Sequence, residues 1–482
     1  MPEPKERLGS SSSSRIEVPQ NSEYGVIYEK RLETLSGRVL NRLQKRELCA
    51  HQRSTTIDSF EGLKIVHLFE VKDQPCIVIG SLHRNLKCRE DILRRFSHNL
   101  QVVFRPSELQ FVANDEDQLF FEDGNQRIPV ELAPELAEKY ALNQKLSGVY
   151  PGAIVGIKCK HDSPNEEKIT ILDFILPGCL SQTYSLSKDD SCRALDQNKI
   201  LIVSNLCFSL QEPNTHSSRH LSNLECLKQI IFGNIPSGNF LDGVKQLLII
   251  GSSISGGDLK SQGDSKENIV SHKKIPQNLK LFEQFLISVC EHTCLSIKVV
   301  SGWNDPVSLF YPQSKFPSMI FPKLISKFGD RIEFAPNPTN SIDLLPSYPD
   351  LNILVSDGSN IQSIKTFLGH SDAACDPKSS NVLNDVEIMQ NLLAHGHFMP
   401  MCPDIIPCVS EADNNDEDQL VIKEQPHLFI SGSPFSTGAT IQQLDCKEGR
   451  SILVVVPDYL CSPTLSVLNV GRATLDTLRI DY

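Results

Sequence analysis

The residues of this chain that could carry chemistry follow its apolar, strand-like runs. In an α/β sheet a ligand binds beyond the carboxyl ends of the strands, so the residue types found there indicate the chemistry. Four such runs occupy residues 199–204, 246–251, 296–302 and 427–432. The polar residues that follow them are Asn205, Cys207, Ser252, Ser255, Asn304, Asp305 and Ser433. A pair of divalent cations needs several carboxylates and imidazoles, and this set holds a single acid, so we predict no metal and no other cofactor.

Three histidines outside this set are a second candidate for metal binding. His395 and His397 are separated by one residue, and His370 lies upstream. However, residues 386–393 predict a helix, and Gly396 is a typical signal for its end. His395 would then lie at the negative end of the helix dipole, where a histidine is stabilised without a metal. We favour this structural interpretation and predict no catalytic residue.

Composition limits the possible functions. The 482 residues, 40% apolar and 22% charged, correspond to roughly two to four globular domains. With 47 basic and 59 acidic residues the net charge is −12, which argues against a protein that mainly grips the nucleic-acid backbone. The 15 cysteines form no C-x-x-C pair and follow no secretory signal, which predicts reduced thiols in the cytosol or nucleus. No apolar stretch approaches the length of a membrane span, so we expect none.

The N-terminal region predicts a disordered tail at residues 1–22 and a helical segment within residues 23–65. A helix over residues 28–46 is indicated by apolar residues at spacings of three and four, namely Leu32, Leu35, Val39 and Leu43. The other face of this helix is basic and carries Lys30, Arg31, Arg38, Arg42, Lys45 and Arg46. It is either a patch for nucleic acid or a partner, or a solvated face, and we favour the solvated face.

Residues 66–180 predict a small closed β-barrel of the OB type. The predicted strands are 76–80, 119–122, 127–130, 153–158 and 168–176, and a helix is expected at 89–97. OB barrels often bind single-stranded nucleic acid through aromatic side chains on a basic groove. Aromatic residues are few in these strands, so we favour a packing role over DNA binding.

Residues 181–198 predict a polar linker, and residues 199–482 predict an α/β domain. Its strands are expected at 199–204, 246–251, 296–302, 352–356, 427–432 and 451–457, with helices at 221–232 and 279–290. Nearly continuous apolar strands that alternate with helices indicate a sheet buried on both faces. Solvated loops are expected at 256–274 and 411–418. The predicted fold class is α/β plus all-β, an α/β sandwich with an inserted or preceding OB barrel and a short N-terminal helix.

The order and spacing of the strand ends resemble the calcineurin-like metallophosphoesterase family, which places Asp and His ligands of two metal ions at these positions. The family's Asp-x-His is Asn205-x-Cys207 here, its Gly-Asp-x-x-Asp is Gly251-Ser252-x-x-Ser255, its Gly-Asn-His-Asp is Gly302-Trp303-Asn304-Asp305, and its Gly-His-x-His is Gly432-Ser433-x-Phe435. The resemblance therefore implies a phosphoesterase-like sandwich whose scaffold is kept and whose site is inactivated.

An OB barrel followed by such a domain resembles the B-subunit family of replicative DNA polymerases. The resemblance covers roughly residues 24–482 and is weakest at 252–280, at 370–385 and after Ser462. Its delta members are matched best at 116–130, 149–156, 199–206, 302–306, 397–404, 424–433 and 452–458. The resemblance implies a non-catalytic nuclear subunit in DNA replication and repair. It would link the C-terminal region of the DNA polymerase delta catalytic subunit to a third, clamp-binding subunit and contact DNA only weakly.

Three alternatives remain open at this point. The first is a B-subunit of DNA polymerase alpha or epsilon, although these carry longer extensions before the barrel. The second is a single-strand DNA-binding OB protein, and the third is an active metallophosphoesterase with a rearranged metal set of Asp305, His370, His395 and His397. For the inactivated site we expect Cys207, Ser252, Ser255, Asn304 and Asp305 to converge. We also expect Asp305 to be partly exposed or hydrogen-bonded to backbone N–H groups, because an unpaired buried carboxylate is costly.

Overall fold

The structure is a computed structural model of the chain. The residues it describes are 24–45, 60–85, 117–142, 145–146, 149–162, 168–184, 198–209, 215–255, 265–340, 342–346, 348–368, 383–404, 406–408, 418–434 and 436–480. The predicted helix at 89–97 and the predicted tail at 1–22 lie outside them. No helix in the described ranges is long and apolar enough to cross a lipid bilayer. The cysteines within these ranges are free thiols.

The N-terminal half contains a helix and a closed five-stranded barrel. The elements are α1 (Tyr24–Lys45), β1 (Cys76–Asn85), β2 (Gln118–Glu122), β3 (Arg127–Leu132), α2 (Pro134–Tyr140), β4 (Ala141–Leu142), β5 (Lys145–Leu146), β6 (Ile154–Lys160) and β7 (Ile169–Ile175). The barrel order is β1-β2-β3-β7-β6, closed by the antiparallel β1–β6 pair, with β3 and β7 parallel. The predicted closed barrel is confirmed, while β4 and β5 form a separate hairpin.

The β2–β3 hairpin shows why the barrel forms where the sequence predicts it. Its turn contains Gly124 at a φ of 87°, which a side chain would strain. The Asp123 carboxylate accepts hydrogen bonds from the backbone N–H groups of Asn125 and Gln126, as Asp does in tight turns. It also accepts the N–H of Leu68, and although burial opposes this, these backbone bonds lower the pKa of Asp123. Asp123 therefore fixes the turn and connects it to the segment before β1.

The C-terminal half is built on two sheets. Its strands and helices are β8 (Lys199–Ser204), α3 (Thr215–Ile231), β9 (Val244–Ile250), α4 (Ser265–His292), β10 (Ser296–Val300), α5 (Pro322–Phe328), β11 (Ile332–Ala335), β12 (Ile353–Ser356), α6 (Ser359–Phe367), α7 (Asp385–His395), β13 (Leu428–Ser433), β14 (Thr440–Cys446), β15 (Gly449–Pro457), β16 (Thr464–Asn469) and β17 (Thr474–Arg479). The six-stranded sheet has the order β11-β10-β9-β8-β16-β17, and the four-stranded sheet has the order β12-β13-β15-β14. All six predicted strands are present.

The two sheets pack face to face, and helices cover their outer faces. Ile202 and Leu248 of the first sheet share one buried cluster with Val355, Ile430 and Val454 of the second. On the outer faces, α3 and α4 pack against the six-stranded sheet, and α6 and α7 pack against the four-stranded sheet. Burial on both faces explains why the central strands are almost continuously apolar. The mixed α/β architecture with a separate β-barrel is confirmed.

Two of the expected solvated loops are wrong in part. Residues 265–274, expected in a loop over 256–274, form the first turns of α4. The later turns of this helix are apolar and pack on the sheet. Asp418, expected in a solvated loop at 411–418, is buried because it forms an ion pair with a helix far away in sequence. The rest of that acidic segment lies outside the described residues.

Candidate functional site

The strand ends meet at one edge of the sandwich, and the backbone there is strained. Asn205, Cys207 and Ser252 have positive φ angles of 54°, 48° and 39°. Asparagine tolerates this left-handed region, whereas it is uncommon for cysteine and serine. Strained backbone of this kind clusters at functional sites, where the surrounding structure holds it in place. The strand-end site, as we call it, consists of polar residues at or shortly after the ends of strands β8, β9, β10, β12, β13 and β15, namely Asn205, Cys207, Ser252, Asn304, Asp305, Asp357, Ser433 and Asp458.

Asp305 is the acid that the sequence placed at the centre of this site. Its Oδ1 accepts the backbone N–H of Ile254 at 2.9 Å, and its Oδ2 accepts the N–H of Gly302 at 2.8 Å. The expected hydrogen bonds to backbone N–H groups are therefore present. The side chain is buried rather than partly exposed, and this burial raises the pKa of Asp305 to about 8. Asp305 ties the segment after β9 to the segment after β10.

Ser252, Asn304 and Asp305 converge as expected. Ser252 Oγ accepts hydrogen bonds from the backbone N–H and from Nδ2 of Asn304, at 3.3 and 3.2 Å. Cys207 joins them through its backbone N–H, which donates to the carbonyl oxygen of Ser252 at 3.0 Å. The backbone of Ser255 contacts other segments: its N–H donates to the carbonyl of Phe208, and its own carbonyl accepts Asn278 Nδ2 from α4.

Asn205 and Ser433 are each engaged by an acid that the sequence analysis missed. Asn205 Nδ2 donates to Asp458 Oδ2 at 2.5 Å, and burial raises the pKa of Asp458 to about 6. Ser433 Oγ donates to Asp385 Oδ2 at 2.6 Å. Asp385 also forms a buried ion pair with Lys365 of α6. These two predicted positions therefore lie in hydrogen-bonded contacts with carboxylates.

A third missed acid, Asp357, follows β12 directly. Its Oδ2 accepts the backbone N–H of Trp303 at 3.0 Å and the hydroxyl of Ser359 at 2.6 Å, and its Oδ1 accepts the Ser359 N–H. Like Asp458 after β15, Asp357 comes immediately after an apolar run in the sequence. Reading the residue after every predicted strand, rather than after four of them, would have found both acids.

The carboxylates at the strand ends serve internal hydrogen bonds. Within the described part of the chain, no group of three or more His, Cys, Asp or Glu residues could hold a metal ion. Each acid accepts from a backbone N–H or a neighbouring side chain, which fixes the loops that connect the strands. These hydrogen bonds therefore hold together the loops at one edge of the two sheets.

The histidines of the alternative metal set lie elsewhere. The predicted helix end is confirmed: α7 ends at His395, and Gly396 adopts a φ of 61°. His395 packs 5.4 Å from the ring of Tyr150, measured between centroids. His397 contacts Asp418 rather than Asp305, through Nε2 and Oδ2 at 3.0 Å. His370 lies outside the described residues.

A second polar site lies where α1 docks between the barrel and the sheets. Arg31 is fully buried, and its Nε donates to Asp418 Oδ2 at 2.8 Å. Its Nη1 donates to the carbonyls of Gly152, beside the barrel, and Pro400, in the C-terminal half. Arg31 therefore joins the two halves of the molecule through one side chain.

Two further arginines of α1 repeat this bridging pattern. Arg38 Nη1 donates to the carbonyls of Gly178, just after β7, and Ile422, at 3.0 and 2.8 Å. Arg42 donates to the carbonyl of Pro177 at 2.6 Å and forms an ion pair with Glu448. We call Arg31, Arg38, Arg42 and their acceptors the arginine seam.

The prediction of a solvated basic face is wrong for these three arginines, and they form no exposed patch for DNA either. The apolar residues of α1 pack on the barrel, Leu35 against Ile154 and Val39 against Ile77. The C-terminal half covers the opposite face, which the periodicity of α1 alone could not reveal. Backbone carbonyls from both halves then take the place of water around the guanidinium groups.

Within the seam, Asp418 contacts both Arg31 and the ring of His397. Burial alone would raise the pKa of Asp418, but the charge of Arg31 outweighs it and holds this pKa well below its usual value. Burial and Arg31 lower the pKa of His397 to about 4. The backbone N–H of Met399 donates to His397 Nδ1, so the proton of the neutral ring is on Nε2 and points at Asp418. The seam therefore holds one buried carboxylate between a cation and a neutral donor.

Two family models match the chain over these two halves. The model described as DNA polymerase delta subunit OB-fold domain matches residues 23–170, and the model for the B-subunit of DNA polymerase alpha/epsilon matches residues 200–439. The first spans α1 and most of the barrel, and the second spans most of the two-sheet half. The chain belongs to the B-subunit family of replicative DNA polymerases.

Within that family, the chain is similar to proteins named as delta subunits. It is 23% identical to the DNA polymerase delta small subunit of Saccharomyces cerevisiae, over 95% of this chain and 90% of that one. It is 19% identical to DNA polymerase delta subunit 2 of Drosophila melanogaster, over 87% and 86% of the two chains. The delta small subunit of Arabidopsis thaliana is 21% identical, over 84% and 82%.

Proposed function

We propose that this protein is a non-catalytic accessory subunit of a DNA polymerase delta complex in the nucleus. It would scaffold the catalytic subunit, through the C-terminal region of that subunit, to a third subunit that binds the sliding clamp. It would serve replication and repair synthesis. Its two-sheet half would be a phosphoesterase-like domain, spanning residues 199–482, whose site no longer supports catalysis.

The observation that carries this proposal is the use of the strand-end acids. Asp305, Asp357 and Asp458 accept hydrogen bonds from the chain itself, and these bonds join neighbouring loops. Metal-assisted hydrolysis needs a site with open coordination positions for a water and a substrate. A site braced in this way supports a scaffold better than it supports a hydrolase.

The arginine seam supports the same proposal from another side. A scaffold that holds two partners must fix the relative positions of its own halves. Each of three arginines on α1 contacts acceptors from both halves, and the apolar face of α1 is buried on the barrel. A net charge of −12 further suits docking to basic partner segments, with association rates that fall as salt is added.

Binding to the catalytic subunit tests the proposal directly. The full chain is mixed with the purified C-terminal region of the polymerase delta catalytic subunit, and the complex is measured by size-exclusion chromatography with light scattering. We expect a stable one-to-one complex. The matched controls are the corresponding regions of the alpha and epsilon catalytic subunits. Absence of a delta complex, with both partners folded, would contradict the proposal, and preferential binding to alpha or epsilon would favour that branch of the family.

Two other functions have clear signatures. A single-strand DNA-binding protein would bind a labelled oligonucleotide tightly and lose affinity steeply with salt. We expect weak binding, because three basic residues of α1, Arg31, Arg38 and Arg42, are buried in the seam. An active phosphoesterase would hydrolyse a chromogenic phosphodiester when Mn²⁺ is added. We expect no such activity, and Mn²⁺-dependent turnover that Asp305→Ala abolishes would restore the enzyme hypothesis.

A further inference from the structure

Two cysteines face each other inside the barrel. Cys76 is the first residue of β1 and Cys159 is the sixth residue of β6, and the register places them directly opposite across the antiparallel pair. Both side chains belong to the buried cluster that fills the barrel. They therefore point to the same side of the sheet.

The spacing of the two cysteines suits a covalent bond between them. Residues opposite each other in an antiparallel pair have Cα atoms about 4.5–5.5 Å apart, and disulfides span Cα separations of about 4.4–6.8 Å. Cys76 Sγ lies 3.6 Å from the carbonyl oxygen of Cys159, so this sulfur already leans toward β6. A disulfide would need the thiol groups to rotate but would not need the strands to move apart.

The environments of the two thiols differ in a way that assigns each a role. Cys76 is buried but keeps 8% exposure, whereas Cys159 is completely buried. A hydrogen bond from the Cys159 thiol lowers the pKa of Cys76, and the backbone N–H of Lys72 acts in the same direction. The same hydrogen bond and burial raise the pKa of Cys159. Because Cys159 is completely buried, Cys76 is the more accessible thiol and reacts first.

We propose that Cys76 and Cys159 form a reversible disulfide when the protein meets hydrogen peroxide. The Cys76 thiolate attacks one peroxide oxygen, the O–O bond breaks, and Cys76 becomes a sulfenic acid while the other oxygen leaves as water after taking a proton. The sulfur of Cys159 then attacks the Cys76 sulfur, forms the S–S bond and expels a second water. The two thiols are oxidised and one peroxide is reduced to two waters.

The disulfide would join the two barrel strands on which α1 rests. Ile77, next to Cys76, packs against Val39 of α1, and Ile154 of β6 packs against Leu35. A covalent bond between β1 and β6 would therefore stiffen the wall of the barrel beneath the arginine seam. This modification goes beyond the proposed scaffold function and does not depend on it.

The proposal is tested on the full chain under native conditions. The protein is treated with hydrogen peroxide, the remaining thiols are blocked, and a non-reduced tryptic digest is analysed by mass spectrometry. We expect a peptide pair that joins Cys76 to Cys159, lighter by two hydrogen atoms than the separate peptides and released by dithiothreitol. A link from Cys76 to any other cysteine, or no link at all, would overturn the proposal.

Variants separate the two roles. Cys159→Ser should leave a sulfenic acid at Cys76 that dimedone labels, and Cys76→Ser should remove both the linked peptide and the dimedone adduct. Cys226→Ser is the matched control, because Cys226 has the same 8% exposure and should not affect the disulfide. Burial raises the pKa of Cys226, so in the Cys159→Ser protein we expect dimedone to label Cys76 faster than Cys226. Equal labelling at the two positions would show that Cys76 is not the reactive thiol.

Discussion

The strand-end site and the arginine seam are both polar and buried, but they use charge in opposite ways. At the strand ends, acids accept from backbone N–H groups, and burial raises the pKa of Asp305 and of Asp458 toward the neutral form. In the seam, Asp418 is held ionised by Arg31. The comparison indicates that in this chain strong electrostatics serve the joint between the two halves.

The largest expected effect comes from breaking the seam. Arg31→Met removes the cation and leaves Asp418 buried beside a neutral histidine. Loss of one partner of a buried ion pair costs about 3–5 kcal/mol. We expect the midpoint of urea unfolding, followed by circular dichroism, to fall markedly. Lys45→Met is the matched control, since Lys45 is an exposed basic residue of the same helix, and a fall of similar size there would show that the seam is not special.

The pH dependence of stability should have opposite signs at the two sites. The pKa of His397 is lowered from about 6.5 to about 4, so the unfolded chain binds more protons between these values and stability is lost as pH falls through this window. The size of this loss is on the order of 3 kcal/mol. The pKa of Asp305 is raised to about 8, so its contribution is fully present near pH 4 and is lost as pH rises through 8.

Thermal unfolding measured from pH 4 to pH 9 tests these signs. His397→Gln should remove a loss of stability that occurs as pH falls from about 6.5 to about 4, and it should leave the profile above about pH 7 unchanged. Asp305→Asn should remove a loss of stability that occurs as pH rises from about 4 to about 8, so its effect overlaps the His397 window and extends beyond it. If His397→Gln changes the profile above about pH 7, or if Asp305→Asn leaves it unchanged there, the assignment of charge to the two sites is wrong.

A smaller effect is expected from the strand-end site itself near pH 4, where the Asp305 carboxyl is neutral in the folded protein and ionisation of the unfolded chain adds little. Asp305→Asn turns an NH₂ group toward one of the two backbone N–H donors, so one hydrogen bond is lost in a buried position. The expected cost is about 1–3 kcal/mol. Asp350→Asn, at an exposed acid, should have no measurable effect. An unchanged unfolding midpoint for Asp305→Asn would mean that this carboxyl does not brace the loops after β9 and β10.

The smallest expected effect is at Ser252. Ser252→Ala removes the acceptor for both hydrogen bonds from Asn304, and each is long, at 3.2–3.3 Å. We expect a loss of about 0.5–1.5 kcal/mol, measured in the same urea titration. Ser326→Ala, which removes an exposed hydroxyl on α5, is the control. A loss of unfolding free energy as large as that of Arg31→Met would show that the two sites do not differ in their contribution to stability.

Local patterns in the sequence predicted the strands well and the seam poorly. The runs at 199–204 and 451–457 became β8 and β15 because both faces of these strands are covered by the same domain. The basic face of α1 was assigned to solvent because periodicity reports which face of a helix is apolar and does not report what covers the other face. Asp418, its main partner, lies 387 residues away, and no pattern within a helix records such a distance.

The candidate site also contains both residues that the sequence could predict and one that it could not. The positions of Ser252, Asn304 and Asp305 followed from the rule that parallel strands end at one edge of a sheet. Asp357 and Asp458 follow the same rule, so the sequence could have predicted their positions as well. Asp385 was not, because it begins α7 and reaches Ser433 only through the packing of that helix on the sheet.

The length of the connections in the seam has a consequence for synthesis of the chain. Arg31 binds Asp418, and Arg42 binds Glu448, across 387 and 406 residues. At about 5–20 residues per second, a ribosome needs roughly 20–80 s to make the acceptors after it has made α1. During that time the arginines have neither carboxylate available. The newly made helix therefore packs on the barrel, whose last strand ends at Ile175, before either carboxylate has been made. The two halves lock together only after Asp418 and Glu448 have been synthesised.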